Sequence, residues 1–321
     1  MSTSDLYRPE FIDPVKAREW LENELWADGR PCPHCGTVDE STKINSKSAR
    51  PGLYMCNACR KQFTVTVGTL YERSKIPLNK WLAATHLMMA SKKGISALQI
   101  GRMLGLSKKT AWFLCHRIRE SLRDTNPALL GGEGKTVEAD ETFVGGKERN
   151  KHRSKRKGKN TGGGVGKEAV FSLVERGGSV RSQHVNSISA NGLRPVLEEQ
   201  LSDASKTKLM TDGEGQYRLI GPMFKSHEVV NHGIGEYVRG DAHTNTIEGY
   251  FSILKRGIIG TYHHVSSQHL KRYLAEFDFR YNQREALGVT DAERMSRAIP
   301  GIVGKRLTYR RTNREGEAVR A

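Results

Sequence analysis

No stretch of about 18 apolar residues occurs in this 321-residue sequence, so nothing in it reads as a membrane-spanning helix. The first residues, MSTSDLYRPEFIDP, carry acids and lack an apolar core, which excludes reading them as a secretory leader. Cysteine is scarce and odd in number, with five in all, four of them in two close pairs. That usage argues against a disulfide framework and suits a metal in a reducing compartment, so a cytoplasmic location is expected. There is no internal repeat. Acidic residues are short relative to basic ones, 35 against 52, which leaves a net charge of +17. An excess of that size usually meets a polyanion.

The chain divides by composition. Residues 1–75 hold the paired cysteines and short β-type runs such as QFTVTVGT. Residues 76–130 read as helical: Trp81, Leu82, Ala84, Leu87 and Met88 recur at helical spacing, and Asn126-Pro127 and Gly131-Gly132 end the pattern. Residues 131–305 alternate strand-like and helix-like segments, and residues 306–321 form a charged tail. Within the third region TVEADETFVGG reads as a strand, and EAVFSLVER and SVRSQHV as a hairpin joined by Gly177-Gly178. ANGLRPVLEEQL reads as a helix, TKLMTD as a strand, QYRLIGPMF as a helix and HEVVNH as a strand, before closing helices from about residue 244 and residue 267. This order predicts a mixed sheet flanked by helices, compatible with a ribonuclease H-like architecture but shared in part by many α/β folds.

Cys32-Pro-His-Cys35 and Cys56-Asn-Ala-Cys59 form two C-x2-C pairs separated by 20 residues. Two residues between thiolates let both reach one ion from a tight turn, and four sulfurs complete a closed tetrahedral Zn2+ site. A closed site stabilises a fold and leaves no position for chemistry. His34, inside the first knuckle, is not expected to be a ligand. Cys115 lies among Trp112, Phe113, Leu114 and Ile118 and reads as a packed core thiol.

Two helices, ISALQIGRMLG and KKTAWFLCHRIRESL, flank the turn GLS, in which Ser107 can cap the second helix. This is the layout of a helix-turn-helix, which places Lys108, Lys109 and Thr110 where the second helix meets DNA and Arg117 further along it. A second basic feature is the glycine-rich segment 147–167, including Lys155, Arg156 and Lys157. It lacks aromatics, so it is expected to track phosphates and not to stack on bases.

Asp140 and Asp212 stand where apolar strand residues give way to glycine, and Glu248 lies in the helical run HTNTIEGYFSILKRG. Carboxylates at strand ends project from a rigid sheet and can hold hard cations. Phosphodiester cleavage needs such a group, because two Mg2+ ions about 4 Å apart activate the attacking oxygen and stabilise the leaving one. The intervals are 72 residues from Asp140 to Asp212 and 36 from Asp212 to Glu248. Lys255 follows Glu248 by two helical turns and shares its face. Neighbouring acids compete for these roles. On an alternating strand Glu138 shares the face of Asp140 and Glu141 points away, so Glu138 is the closer substitute. Glu214 and Asp241 compete for the second and third roles. His243, His263 and His264 flank the last motif without a clear task.

CPHCG, CNACRKQFTVTVGT, VEADETFVGGKERN, LMTDGEGQY and HTNTIEGYFSILKRGIIGTYHHVSSQHLKRYLAEFDFRYNQR, in that order, resemble the DDE-type insertion-sequence transposases with an N-terminal zinc ribbon, the ISXO group. The resemblance covers about residues 10–300. It implies a multidomain α+β protein, with zinc ribbon, helix-turn-helix and a ribonuclease H-like catalytic domain on a mixed sheet. It implies Asp140, Asp212 and Glu248 as ligands of two Mg2+ (or Mn2+) ions, and double-stranded DNA as partner, both terminal inverted repeats and target. Some relatives carry Asn where the third acid is expected, and Asn245 shares the helical face of Glu248. Asn245, Lys255 and Arg256 are the DNA contacts expected near the site. The expected activity is cleavage of element ends and transfer of their 3′ hydroxyls to target DNA by a homo-oligomer assembled on DNA. The rival readings are a DNA-binding regulator with a dead catalytic domain and a nuclease without joining activity.

Overall fold

A computed structural model of the chain describes residues 7–146, 150–156 and 164–308. Lys157 and the tail beyond residue 308 lie outside the described residues, as do Lys147, Arg149 and Lys159 of the basic segment. The described chain forms two compact units, one of residues 7–87, 97–121 and 295–308 and the other of residues 88–96 and 122–294.

The first unit begins with helices α1 (Pro9–Ile12) and α2 (Pro14–Leu25), each with proline in its first turn, where no amide is missed. The Asp13 side chain accepts from the Val15 amide at 2.7 Å and caps α2. An antiparallel sheet follows, in the order β1 (Ser41–Lys43), β2 (Tyr54–Cys56), β3 (Gln62–Phe63). Its small core holds Cys32, Tyr54, Cys56 and Phe63, with the Trp26 ring edge-on to Tyr54 at 5.3 Å. The run QFTVTVGT is a strand only as far as Phe63. Beyond it the Thr64 and Thr66 hydroxyls meet at 3.0 Å and Thr69 donates to the Thr66 carbonyl, so threonine side chains turn the backbone out of the sheet.

Helices α3 (Leu78–Ala90), α4 (Ala97–Leu104) and α5 (Lys108–Ser121) come next. Gly105, at φ +62°, makes the turn between α4 and α5. Ser107 caps α5 by accepting from the Thr110 amide at 3.2 Å. A Cβ on Gly101 would stand 3.2 Å from that of Ala111, so glycine lets the two helices close on each other. Cys115 is completely buried.

The second unit is built on a five-stranded mixed sheet in the order β6-β5-β4-β7-β8. The strands are β4 (Thr136–Val144), β5 (Glu168–Glu175), β6 (Val180–Val185), β7 (Lys208–Asp212) and β8 (Ser226–Val230). The first three pair antiparallel, while β4–β7 and β7–β8 are parallel. Gly177, at φ +71°, closes the β5–β6 hairpin.

Strand alternation divides the residues of β4 between two cores. Val137 and Ala139 pack with Phe171, Leu209 and the helix α6 (Ala190–Gln200) through Leu193 and Leu197. The short helix α7 (Tyr217–Ile220) joins this face and gives way at once to a tighter turn, because Pro222 cannot continue it. Val144, Val170, Val174 and Val180 face the opposite core. That core is covered by α8 (Asn245–Gly257) and α9 (Ser267–Asn282), which contribute Ile247, Leu254, Leu270 and Phe277. A Cβ on Gly257 would lie 2.3 Å from the Phe277 ring, so glycine permits this packing. Helix α10 (Asp291–Ala298) follows.

A buried polar knot ties α8 and α9 to the edge of the sheet. Asp278 accepts from the Ser182 amide and the Ser182 hydroxyl, each at 2.8 Å, and from the Tyr250 hydroxyl. Burial outweighs these bonds and pushes the Asp278 carboxyl up to about 6. An acid raised in the fold binds its proton more tightly than the unfolded chain does. Its contribution to stability is therefore present at low pH and lost as pH rises from about 4 to about 6. Asp278→Asn should remove this slope, so that wild type minus variant changes by roughly 2 kcal/mol over that interval in urea unfolding. A difference that stays flat with pH would mean the carboxyl titrates normally.

Candidate active site and metal centre

Asp212 is the last residue of β7, as expected, but Asp140 lies at the middle of β4 and not at its end, because β4 continues to Val144 in its pairing with β5. The parallel register that pairs Glu138 with Met210 brings Asp140 level with Asp212 on the neighbouring strand. Both acids lie on the α8 face of the sheet, where Met210 packs with Val230 and Ala242. Glu248 lies in the first turn of α8, near enough to both acids to raise their proton affinity. Burial pushes Asp140 up to about 8, and the Asp212, Glu141 and Glu248 carboxylates push in the same direction. Asp212 is raised by burial and by Glu214 and Glu248, while His232 opposes them. The Thr244 hydroxyl donates to Glu248 Oε1 at 2.9 Å, and His232 Nε2 lies 3.4 Å from the same oxygen.

Asp140, Glu141 and Glu248 line a cleft of about 400 Å³ together with Lys255 and Arg256; Asp212 is not among its lining residues. Ser252, also on its wall, accepts from Arg256 Nε at 3.1 Å. Half-buried carboxylates that raise one another's proton affinity concentrate negative charge, which a hard cation would relieve. Among the described residues, only the four ribbon thiols have donor atoms all within 4.8 Å of one another. The acids are not drawn together as closely.

The competing acids have other duties. Glu138 is completely buried and fully hydrogen-bonded. Glu141 leaves the strand on the other face, where Tyr217 donates to it at 2.6 Å and Gln216 at 2.5 Å, yet it still lines the cleft. The Glu214 amide donates to Asp212 Oδ1 at 3.3 Å in the turn after β7, and Asp241 is exposed. His263 holds its own turn at φ 59°, with Nδ1 3.0 Å from the Ile259 carbonyl.

Of the expected DNA contacts, Asn245 is exposed at the start of α8. Lys108 and Lys109 are exposed at the start of α5, where Thr110 meets the Ser107 hydroxyl at 2.8 Å. Arg117 is engaged within its unit: Nε donates to the Leu307 carbonyl at 3.1 Å and the guanidinium lies over Phe113. Lys155 ends a short turn (Arg153–Lys155), and Arg156 Nε donates to the Lys151 carbonyl at 3.0 Å.

His232 was not singled out in the sequence. Its signal is positional: it follows β8 directly, and β8 runs parallel beside β7, so its end lies next to that of Asp212.

The cysteine site is formed by two matching knuckles. Gly36 after Cys35 and Arg60 after Cys59 both adopt positive φ, at +79° and +60°. Their amides donate back to the Cys32 and Cys56 carbonyls at 2.9 and 3.0 Å. Cys32–Cys59 and Cys35–Cys56 each bring their sulfurs to 3.7 Å. A tetrahedron with Zn–S bonds of about 2.3 Å has edges of about 3.8 Å, so the four thiols fit zinc. A hydrogen bond from Thr37 is the largest cause lowering Cys35 to about 6, which favours the thiolate a metal takes.

Two family models match this chain. The transposase zinc-ribbon domain matches residues 13–62, and the ISXO2-like transposase domain matches residues 129–282, which run from just before β4 to the end of α9. This chain is similar to the ISXO2-like transposases in both matched segments. A relative described as an uncharacterized protein in transposable element ISH50, from Halobacterium salinarum, is 29% identical over 286 residues. That match covers 84% of this chain and 91% of the relative. The ribbon match encloses all four cysteines, and the transposase match encloses Asp140, Asp212 and Glu248. No helix among the described residues is long and apolar enough to cross a membrane.

Proposed function

We propose that this chain cuts the ends of an insertion element and joins the freed 3′ hydroxyls to target DNA, with Asp140, Asp212 and Glu248 as the catalytic acids. The observation that carries this reading is the approach of Asp140 at the middle of β4, Asp212 at the end of β7 and Glu248 in the first turn of α8, close enough that Asp212 and Glu248 both raise Asp140, with Asp140 and Glu248 lining a cleft shared with Lys255 and Arg256. The strand pattern, three antiparallel strands followed by two parallel ones with helices on both faces, supports a ribonuclease H-like catalytic domain.

The three acids would hold two Mg2+ ions, which supply Lewis-acid activation of the attacking oxygen and stabilise the leaving one. The chain's own residues bind and orient the substrate. Lys255 and Arg256 offer charge to the phosphates flanking the scissile bond. In the first step a water oxygen bonds to phosphorus and the bond from phosphorus to the 3′ oxygen breaks, leaving a free 3′ hydroxyl. In the second step that hydroxyl attacks a target phosphorus and displaces another 3′ oxygen, so one site serves both steps. Pairing two element ends calls for a homo-oligomer assembled on the DNA, in the cytoplasm where that DNA lies. The zinc ribbon and the α4–α5 pair, read as a helix-turn-helix with Lys108 and Lys109 at its contact end, would bind those ends.

The test is a strand-transfer assay with zinc-loaded protein, labelled duplexes from the element's own ends, a plasmid target and Mg2+. Labelled ends covalently joined to plasmid are expected. Nicking without joined product would reduce the protein to a nuclease, and DNA binding without cation-dependent nicking would make it a regulator.

A further inference from the structure

Glu138 has no exposed surface and lies two residues before Asp140, on the same face of β4. A carboxylate in that position is costly unless its oxygens are fully used. Here both are. Oε1 accepts from Arg176 Nε at 2.7 Å and from the Thr246 hydroxyl at 2.8 Å, and Oε2 accepts from the Ile247 amide at 2.9 Å. The rest of the Arg176 fork donates to the Asp241 carbonyl at 2.8 Å and the His243 carbonyl at 2.7 Å. One ion pair thus holds both the loop that enters α8 and the first turn of α8.

That arrangement relieves another residue. Helices commonly satisfy their first amides with the side chain of their own N-cap. The N-cap of α8 is Thr244, and it makes no such bond; its hydroxyl donates to Glu248 instead. The sheet caps α8 through Glu138, and Thr244 is left to hold the Glu248 carboxylate.

We propose that Glu138 and Arg176 are positioning residues that fix Glu248 against Asp140 by capping the Glu248 helix from the sheet. This rests on the role given to Glu248 above. Neither residue needs to touch DNA or a cation. The strand that carries Asp140 also grips the amide next to Glu248, so the spacing of the two acids is set by hydrogen bonds and not by the long loops between them.

The experiment is a Mn2+ titration of the zinc-loaded full chain, read by the electron paramagnetic resonance of free Mn2+. In Glu138→Gln the amide has one acceptor and one donor, so in either orientation a donor faces Ile247 or the Arg176–Thr246 pair. The Mn2+ midpoint should rise about tenfold, as is common when a partner behind a metal ligand is removed. Arg176→Lys keeps the charge, loses the fork and should raise the midpoint less. It is partly exposed, so it carries the test if Glu138→Gln does not fold. Leu197→Ala, on the opposite face of the sheet, controls for lost stability and should leave the midpoint unchanged. If Glu138→Gln (or, failing that, Arg176→Lys) binds Mn2+ like wild type while Glu248→Gln does not, the positioning role is overturned and Glu248 keeps its assignment. If Glu248→Gln also binds like wild type, the site itself is misassigned and the positioning role goes with it.

Discussion

Replacing Asp140 by Asn should slow strand cleavage by roughly a thousandfold or more, since a lost ion ligand removes several kcal/mol of transition-state stabilisation. Asp212→Asn and Glu248→Gln should behave alike, and combining them should cost little more than the worst single change, because the acids act as one unit. Binding to duplex DNA should hardly change. The same Asp140→Asn variant should be the more stable zinc-loaded protein when no Mg2+ is added. Asp140 is raised to about 8, so between its ordinary value near 4 and pH 8 the folded carboxyl holds a proton that the unfolded chain releases, and folding is progressively penalised as pH rises. Asparagine avoids that penalty. For the zinc-loaded protein at pH 8 without added Mg2+, its melting temperature should exceed that of wild type by a few degrees, each kcal/mol being worth about 2–4 °C in a unit of this size. Adding Mg2+ should then raise the wild type and leave the variant where it was. Full cleavage by Asp140→Asn would remove the proposed site.

Loss of zinc should have the largest effect on the first unit. The strands of its sheet have three, three and two residues, and the buried core around them is four side chains. So small a sheet does not stand alone. A structural zinc site contributes on the order of 10–16 kcal/mol to folding. Cys56 is completely buried, so Cys56→Ser should empty the site and unfold the ribbon, as should a strong chelator. Bound zinc should fall from one equivalent per chain to none, and trypsin should cut within residues 30–63. Mn2+ binding at the acids should persist, because the acids belong to the other unit. A zinc-free ribbon that still resists trypsin would show that the metal is dispensable for folding.

What the sequence made legible follows the range of the interaction. The cysteine knuckles were readable because each pair lies two residues apart, and the glycine after Cys35 marks the positive φ that closes the turn. Strand alternation placed Asp140 and Glu138 on one face and Glu141 on the other, as found. It could not tell ligand from clamp. The partners that define Glu138 lie 38, 108 and 109 residues away, and nothing local announces them. His232 was missed for the same reason, since its meaning comes from β8 lying beside β7. QFTVTVGT was over-read as a strand because β-branched residues favour extended backbone, while threonine hydroxyls also bond back to it. The basic character of Arg117 was plain, and its use inside its own unit was not.

The parity of two short strands constrains how this sequence can drift. Leu209 faces one core while Met210 and Asp212 face the other, and β4 obeys the same alternation. A one-residue insertion within Lys208–Met210 would turn Asp212 away from Asp140 and pull Leu209 out of its packing in the same stroke. Lengthening the Gly177-Gly178 turn, or the loops on either side of α6, would disturb neither. Related sequences can therefore vary in the distance between Asp140 and Asp212 along the chain through loops, whereas an odd-numbered indel inside either strand should separate the two carboxyls.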